Sequence, residues 1–314
     1  MLKYKMTDNT LMVNGRVLHQ IEALKDFGMV SKGELGGWIE DYKNLSQEGK
    51  AWVADNACVY ESARITQNAS VCGNARVAGT AFVTGDAVIK GNARVYGNAK
   101  VTDLAYVYRN AHVYGDACVC CSAIITDNAH VYGSATIAGC ARIYDNAYIY
   151  DSAYVHGCTL VRDNARIYGN AHVGRDTQVG KNAIVCEKMT VNYSKITTDL
   201  RTDIAASLRG QCNLLLEDNK VRAYKIVNKD LTSMYDKNFT YKIGEVAEAK
   251  NPDETNTSYA SGLHFSNLTY WDCRVDNYFN KVYLVAEIDV NDIITIQEGK
   301  IRCRKAKILN AVDI

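Results

Sequence analysis

The sequence predicts a mostly β protein: a parallel β-solenoid followed by a smaller α+β domain. Three observations carry that expectation. Residues 51–194 are one six-residue pattern, Ala-x-Val/Ile-x-turn-turn, copied 24 times without insertion or deletion. The single proline, Pro252, lies outside this stretch, as expected where every strand donates hydrogen bonds to its neighbours. From about Val221 the period is lost, and segments such as VRAYKIVN and KVYLVAEIDV alternate like longer strands.

Residues 1–50 are expected to form a β cap. TLMVNGRVLHQI sets Asn14-Gly15 between two alternating runs, the signature of a type I′ hairpin. An open solenoid end exposes unpaired backbone groups, so such a cover is needed.

In residues 51–194 position one is Ala in all but three copies (Thr159, Thr177, Met189), and position three is Val or Ile in every copy. Both lie on one side of a short strand, since side chains alternate across it. The small and the β-branched residue therefore point inward, positions two and four point outward, and positions five and six make the corner. Hexapeptide repeats of this form resemble the left-handed parallel β-helix, in which three hexads close one triangular coil. The resemblance implies a hand opposite to the usual crossover rule. Residues 51–194 then make about eight coils, a prism roughly 38 Å long at about 4.8 Å per rung. GELGGWIEDYKNLSQEGKAWV, residues 33–53, resembles the opening of uncharacterised bacterial and prophage hexapeptide-repeat proteins often labelled acyltransferases; that resemblance brings no established active site.

TDLRTDIAASL spaces Leu200, Ile204 and Leu208 like a helix, so residues 195–220 read as a helical linker or cap. Residues 221–314 read as the α+β domain. Its segments AYKIVNKDLTSMYDKNFTYKIGE, SGLHFSN and GKIRCRKAKIL resemble an uncharacterised domain recurrent in phage and prophage proteins, which implies a phage or prophage context and a host cytoplasm. Relatives often carry a cysteine shortly before the Ser-Gly-Leu-His run. Here Tyr259 and Ala260 stand nearby, so His264 reads as a structural residue.

A net charge of +1 offers no bulk field for nucleic acid or membrane. There is no apolar run of membrane-spanning length and no apolar signal core at the N-terminus, and eleven cysteines then suggest reduced thiols in a cytoplasm. Cys140 and Cys158, three copies apart at position six, are expected to stack at one corner as packed thiols. No metal and no cofactor is expected.

Positions three copies apart stack, so each face is a set of columns. On the face that begins at Ala57, the fourth positions are Tyr60, Ala78, Tyr96, Tyr114, Tyr132, Tyr150, Tyr168 and Cys186; the second positions are Cys58, Arg76, Arg94, His112, His130, Tyr148, Arg166 and Ile184. Six tyrosines in a column of eight beside a basic column is not a chance arrangement. One reading is a tyrosine ladder that strengthens the sheet and packs against another subunit. The other is a ligand surface, with Arg76, Arg94, His112, His130 and Arg166 donating to an anion and Tyr96, Tyr114, Tyr132, Tyr150 and Tyr168 stacking on a planar ring. The corner before this face is Asn in every coil, from Asn56 to Asn182. Those amides are expected to bond up the axis, with Asn accommodating the left-handed turn.

Hexapeptide acyltransferases use a histidine as general base, and His112, His130, His156 and His172 are outward candidates. Such enzymes usually interrupt the repeat with a projecting loop, which 24 gapless copies lack. A linear glycan would suit the spacing, but no Asp/Glu pair for its hydrolysis is evident. The combined expectation is a non-catalytic homotrimer that captures, and so sequesters, an anionic, nucleotide-like small molecule on the Tyr/Arg/His face. An acyl-CoA-dependent acyltransferase and a purely structural scaffold are the alternatives.

Overall fold

The computed structural model describes residues 2–255, 260–273 and 280–313; Tyr259 lies outside them. The chain divides into two compact units, Met1–Glu187 and Lys188–Ile314.

The first unit is a parallel β-solenoid closed by an antiparallel cap. Each rung is a short strand that pairs with the strand three copies further on. On the tyrosine face, Cys58 and Val59 pair with Arg76 and Val77, these with Arg94 and Val95, and so on through His112, His130, Tyr148 and Arg166 to Ile184. The inward Ala at position one and Val or Ile at position three are inaccessible to solvent along the whole first unit. The core is thus two stacked columns per face, too tight for anything larger.

The position-five residue has positive φ in every copy, from Asp55 to Tyr193, and is often glycine. The left-handed residue of each corner is therefore position five, at Asp55, Arg109 or Asp127, rather than the Asn at position six. Non-glycine residues tolerate it partly because the preceding rung helps: the carboxylates of Asp103 and Asp163 accept the backbone N–H of Cys121 and Lys181 at 2.9 and 2.6 Å. The Asn residues do the other expected thing. From Asn56 to Asn182 each Nδ2 donates to the Oδ1 of the next, at 3.0–3.4 Å, in an unbroken chain of side-chain bonds.

The cap continues the tyrosine sheet. Strands Tyr4–Val13 and Arg16–Ala23 form the hairpin, with Asn14 and Gly15 both at positive φ as a type I′ turn requires. Arg16–Ala23 pairs antiparallel with Leu35–Ile39, which then pairs parallel with Cys58 and Val59, completing an eleven-stranded sheet. The rung at Trp38 needs glycine where later copies have alanine. A Cβ on Gly37 would lie 2.6 Å from the Ala57 carbonyl oxygen and 2.8 Å from Val53 Cγ1. The first coil's carbonyls are met by donors from the cap: Trp38 N, Glu40 N and Ser46 N donate to Ala57, Val59 and Ile65. Buried side chains supply others, with Lys3 Nζ on Ala51 O at 2.8 Å and Asn44 Nδ2 on Ala63 O at 2.9 Å. These acceptors at the capped end are thus satisfied without water.

In the second unit the expected helix is shorter than its spacing suggested. Asp203 caps Ile204–Ser207, and a π turn over Leu208–Cys212 follows. Leu200 lies before the cap, and Ile204 is exposed at the first turn. The rest is antiparallel sheet. One sheet runs in the order Leu216–Glu217, Lys220–Asn228, Lys281–Asp289, Lys305–Asp313, Val246–Glu248; a three-stranded sheet of Leu263–Phe265, Lys300–Cys303 and Ile293–Gln297 completes it. Among the described residues of this sheet domain, α-helix is confined to Leu268–Asp272. No helix among the described residues is long and apolar enough to cross a membrane. Strand alternation places Lys225 on the core side with Val221, Ala223 and Val227. Its ammonium is ringed by Tyr235, Tyr241, Phe265 and Trp271, with centroids 5.6–6.0 Å away, and donates to His264 O at 3.2 Å. His264 is half-buried, and burial followed by the nearby Lys225, Lys300 and Arg302 lowers its pKa to about 4, which keeps the ring neutral.

Candidate functional site

The tyrosine column is a true stack. Tyr96, Tyr114, Tyr132, Tyr150 and Tyr168 lie ring on ring, 4.8–5.0 Å apart and within 6° of parallel. The second column runs beside it: His112 lies against His130 at 4.8 Å with the rings tilted by 40°, His130 stacks on Tyr148 at 4.9 Å, and the Arg166 guanidinium is 6.0 Å from the Tyr148 ring. The two columns meet edge-on, Tyr96 with His112 and Tyr114 with His130.

This packing decides which residues can hold a ligand. Tyr114, Tyr132 and Tyr150 each have a tyrosine on both faces, so a planar molecule cannot stack on them without opening the ladder. The ladder is broken once, at Ala78. There Tyr60 and Tyr96 stand two rungs apart, about 9.6 Å, which leaves the height of one missing ring. A cavity of about 220 Å³ occupies this break, lined by Asn14, Tyr60, Arg76, Ala78, Arg94, Tyr96 and His112. The hairpin supplies one wall: Val13 and Leu18 pack with Cys58, Tyr60 and Ala78, and Asn14 Nδ2 donates to Tyr60 Oη at 3.4 Å.

Two guanidiniums on adjacent rungs give the cavity its charge. Arg76 and Arg94 are in register and exposed. Among the described residues neither has an ion pair, and the nearby carboxylates Glu40 and Glu61 are taken by Arg16. Burial, then His130 and Arg94, lowers the pKa of His112, and burial lowers that of His130, so both imidazoles are neutral at pH 7. The expected His⁺ donors are therefore not cations there; the charge is that of the arginines. Burial also raises the Tyr96 phenol, and pushes Tyr114 to about 12 with help from its neighbouring tyrosines, so the ladder stays uncharged.

Of the ten residues singled out in the sequence, Arg76, Arg94, His112 and Tyr96 come together at the break. His130, Arg166, Tyr114, Tyr132, Tyr150 and Tyr168 lie along the stack away from it. The sequence reading missed Asn14, Tyr60 and Ala78. Ala78 was the available signal, the one small residue inside a run of tyrosines. His156 and His172 sit on another face, both beside Tyr154, at 4.7 and 5.2 Å between ring centroids. Among the described residues no carboxylate is hydrogen-bonded to His112, His130, His156 or His172, so none has the partner that orients a general base.

Two family models match parts of the chain. The YdcK beta solenoid repeat matches residues 141–157, and a domain of unknown function, DUF7666, matches residues 221–314. A curated relative, the uncharacterized acetyltransferase YdcK of Escherichia coli strain K12, is 43% identical over 53 residues. That match covers 17% of this chain and 16% of that protein's length. The likeness is to a β-solenoid repeat protein.

Proposed function

We propose that the protein is a non-catalytic binding protein that captures a small anion bearing a planar ring at the Ala78 break. The observation that carries this is the coincidence, in one cavity, of two guanidiniums that have no ion pair among the described residues and the uncovered end of a tyrosine ladder. The guanidiniums offer charge-assisted donors to a phosphate or carboxylate, and Tyr96 offers a ring face to whatever lies in the break. A volume of about 220 Å³ suits one ring system and its charged group, a nucleotide-like fragment or an aromatic carboxylate. The assembly proposed with it is a homotrimer of about 104 kDa, three times 34.8 kDa, in which the half-buried tyrosine ladder faces another subunit.

Isothermal titration of the full chain with inorganic phosphate, a purine nucleoside monophosphate and an aromatic carboxylate tests the site, with light scattering for the mass. Stoichiometric binding of a ring-bearing anion, stronger than that of phosphate and weakened by salt, supports the reading. Failure of every probe, or binding indifferent to the ring and to salt, defeats it.

A second reading, acyl transfer, has one observation in its favour, the acetyltransferase label of the relative matched over 53 residues. It demands turnover: acetyl-CoA incubated with the protein and an amine acceptor must release free thiol steadily. His112 would then be the base at the cavity, and His112→Ala must abolish the release.

A further inference from the structure

A second cluster stands at a different corner of the prism. Cys120 and Cys121 occupy positions four and five of the copy 117–122, and Asp103 occupies position five of the copy one rung earlier. In an ordinary strand adjacent side chains point to opposite sides. Here Cys121 has a φ of 58°, and the left-handed turn brings its thiol round to that of Cys120. The two Sγ atoms are 3.8 Å apart, and the Asp103 carboxylate completes a set of three ligand atoms all within 4.8 Å of one another. We propose that Asp103, Cys120 and Cys121 bind a thiophilic d¹⁰ cation, Zn²⁺ or its analogue Cd²⁺.

The geometry is that of a tetrahedral edge. With Zn–S bonds of about 2.3 Å, two thiolates on one zinc lie about 3.8 Å apart, the separation already found. The carboxylate is held for the purpose: Asp103 Oδ2 accepts from Cys121 N at 2.9 Å and from Thr102 Oγ1 at 3.2 Å. No basic side chain pairs with it among the described residues, in contrast to Asp127, which Arg109 neutralises at the neighbouring corner. Two soft sulfurs and one oxygen favour zinc-like ions over magnesium or calcium. Cys121 and Asp103 are exposed and Cys120 half-buried, so the fourth position faces solvent and takes water. Binding releases the two thiol protons to solvent and leaves a dithiolate–carboxylate complex.

The test uses the full chain in a Cys140→Ser/Cys158→Ser background, which removes the other exposed thiol pair of the repeat, under a phosphine reductant. Cd²⁺ titration should produce a thiolate-to-cadmium charge-transfer band that saturates at one equivalent per chain and is displaced by Zn²⁺. Cys120→Ser and Cys121→Ser should each abolish the saturable band. Asp103→Asn should keep it and weaken Zn²⁺, measured by chelator competition, at least tenfold, since a direct ligand costs no less than an outer-shell partner. Far-ultraviolet circular dichroism confirms that each variant keeps the solenoid. A band that fails to saturate at one equivalent, or one that survives both serine variants, overturns the site.

Discussion

Replacing Arg94 with alanine should have two effects of opposite sign. In the ligand-bound protein the anion loses one charge-assisted donor, worth about 1.5–3 kcal/mol, so affinity falls roughly 10- to 150-fold. In the unliganded protein the same change relieves a repulsion. Arg76 and Arg94 stand on adjacent rungs, whose backbones are about 4.8 Å apart, and neither has an ion pair among the described residues. Two like charges at that distance in water repel by about 0.9 kcal/mol, cut to about 0.5 kcal/mol at physiological salt. Arg94→Ala should therefore be slightly more stable than wild type in urea unfolding, with a gain that fades in 1 M salt. Arg166 is the control: it belongs to the same column, but its neighbours are Tyr148 and Ile184 and it lines no part of this cavity. Arg166→Ala should leave affinity unchanged and lose the weak cation–π contact to Tyr148. Equal losses of affinity for the two variants, or an Arg94→Ala protein less stable than wild type at low salt, would refute the assignment.

Three further outcomes are expected. Asn110→Ala breaks the bonds to Asn92 and Asn128, at 3.0 and 3.2 Å, and should cost on the order of 1 kcal/mol in unfolding while leaving ligand affinity alone. Lowering the pH through and below the ordinary histidine range should tighten anion binding in titration calorimetry once His112, whose pKa burial lowers, gains a proton beside the anion. The unliganded protein should meanwhile lose stability below about pH 6.5, since the unfolded histidine takes its proton before the folded one, whose pKa is lowered. Lys225 follows the same sign in a higher window. Burial lowers its pKa to about 8, so its charge costs the fold up to about 3 kcal/mol at pH 7, a cost that disappears as pH rises towards 10.5. Lys225→Met should be the more stable protein at pH 7, with an advantage that shrinks by pH 10; a variant less stable at pH 7 would mean the four surrounding rings more than offset the burial.

The solenoid was legible because its rules are local and repeat. Ala and Val/Ile at fixed positions, the Asn corner and the Asn14-Gly15 turn each state their geometry within a few residues. What the columns do to one another was not legible. That stacked tyrosines occupy each other's faces is a property of the assembled rungs, and it moves the useful site from the longest run of tyrosines to its interruption. Asn14 reaches Tyr60 from 46 residues away, a distance no periodicity encodes. The left-handed residue falls at position five rather than on Asn, and the next rung comes close there: a Cβ on Gly73 would lie 2.9 Å from Gly91 N. Lys225 reads as a surface residue by type, and only its place in the alternation, opposite Tyr224, puts it inside. The linker helix shortened because Asp203 offers a stronger start than the apolar spacing before it, its carboxylate accepting Ala206 N at 2.8 Å.

Because every rung recurs after three copies, the first unit tolerates editing only in a fixed frame. Excising residues 75–92 would remove one whole coil, with Arg76 and Ala78, and set Tyr96 directly over Tyr60 with Arg94 over Cys58. All downstream side chains would keep their faces, the aromatic ladder would run on without its gap, and the cavity would be gone. Excising residues 75–80 alone would instead turn every later tyrosine, histidine and asparagine onto a different side of the prism. Lineages can therefore lengthen or shorten such a molecule by whole coils at little structural cost. A recognition site written across several neighbouring coils is erased by the loss of the one that carries its gap.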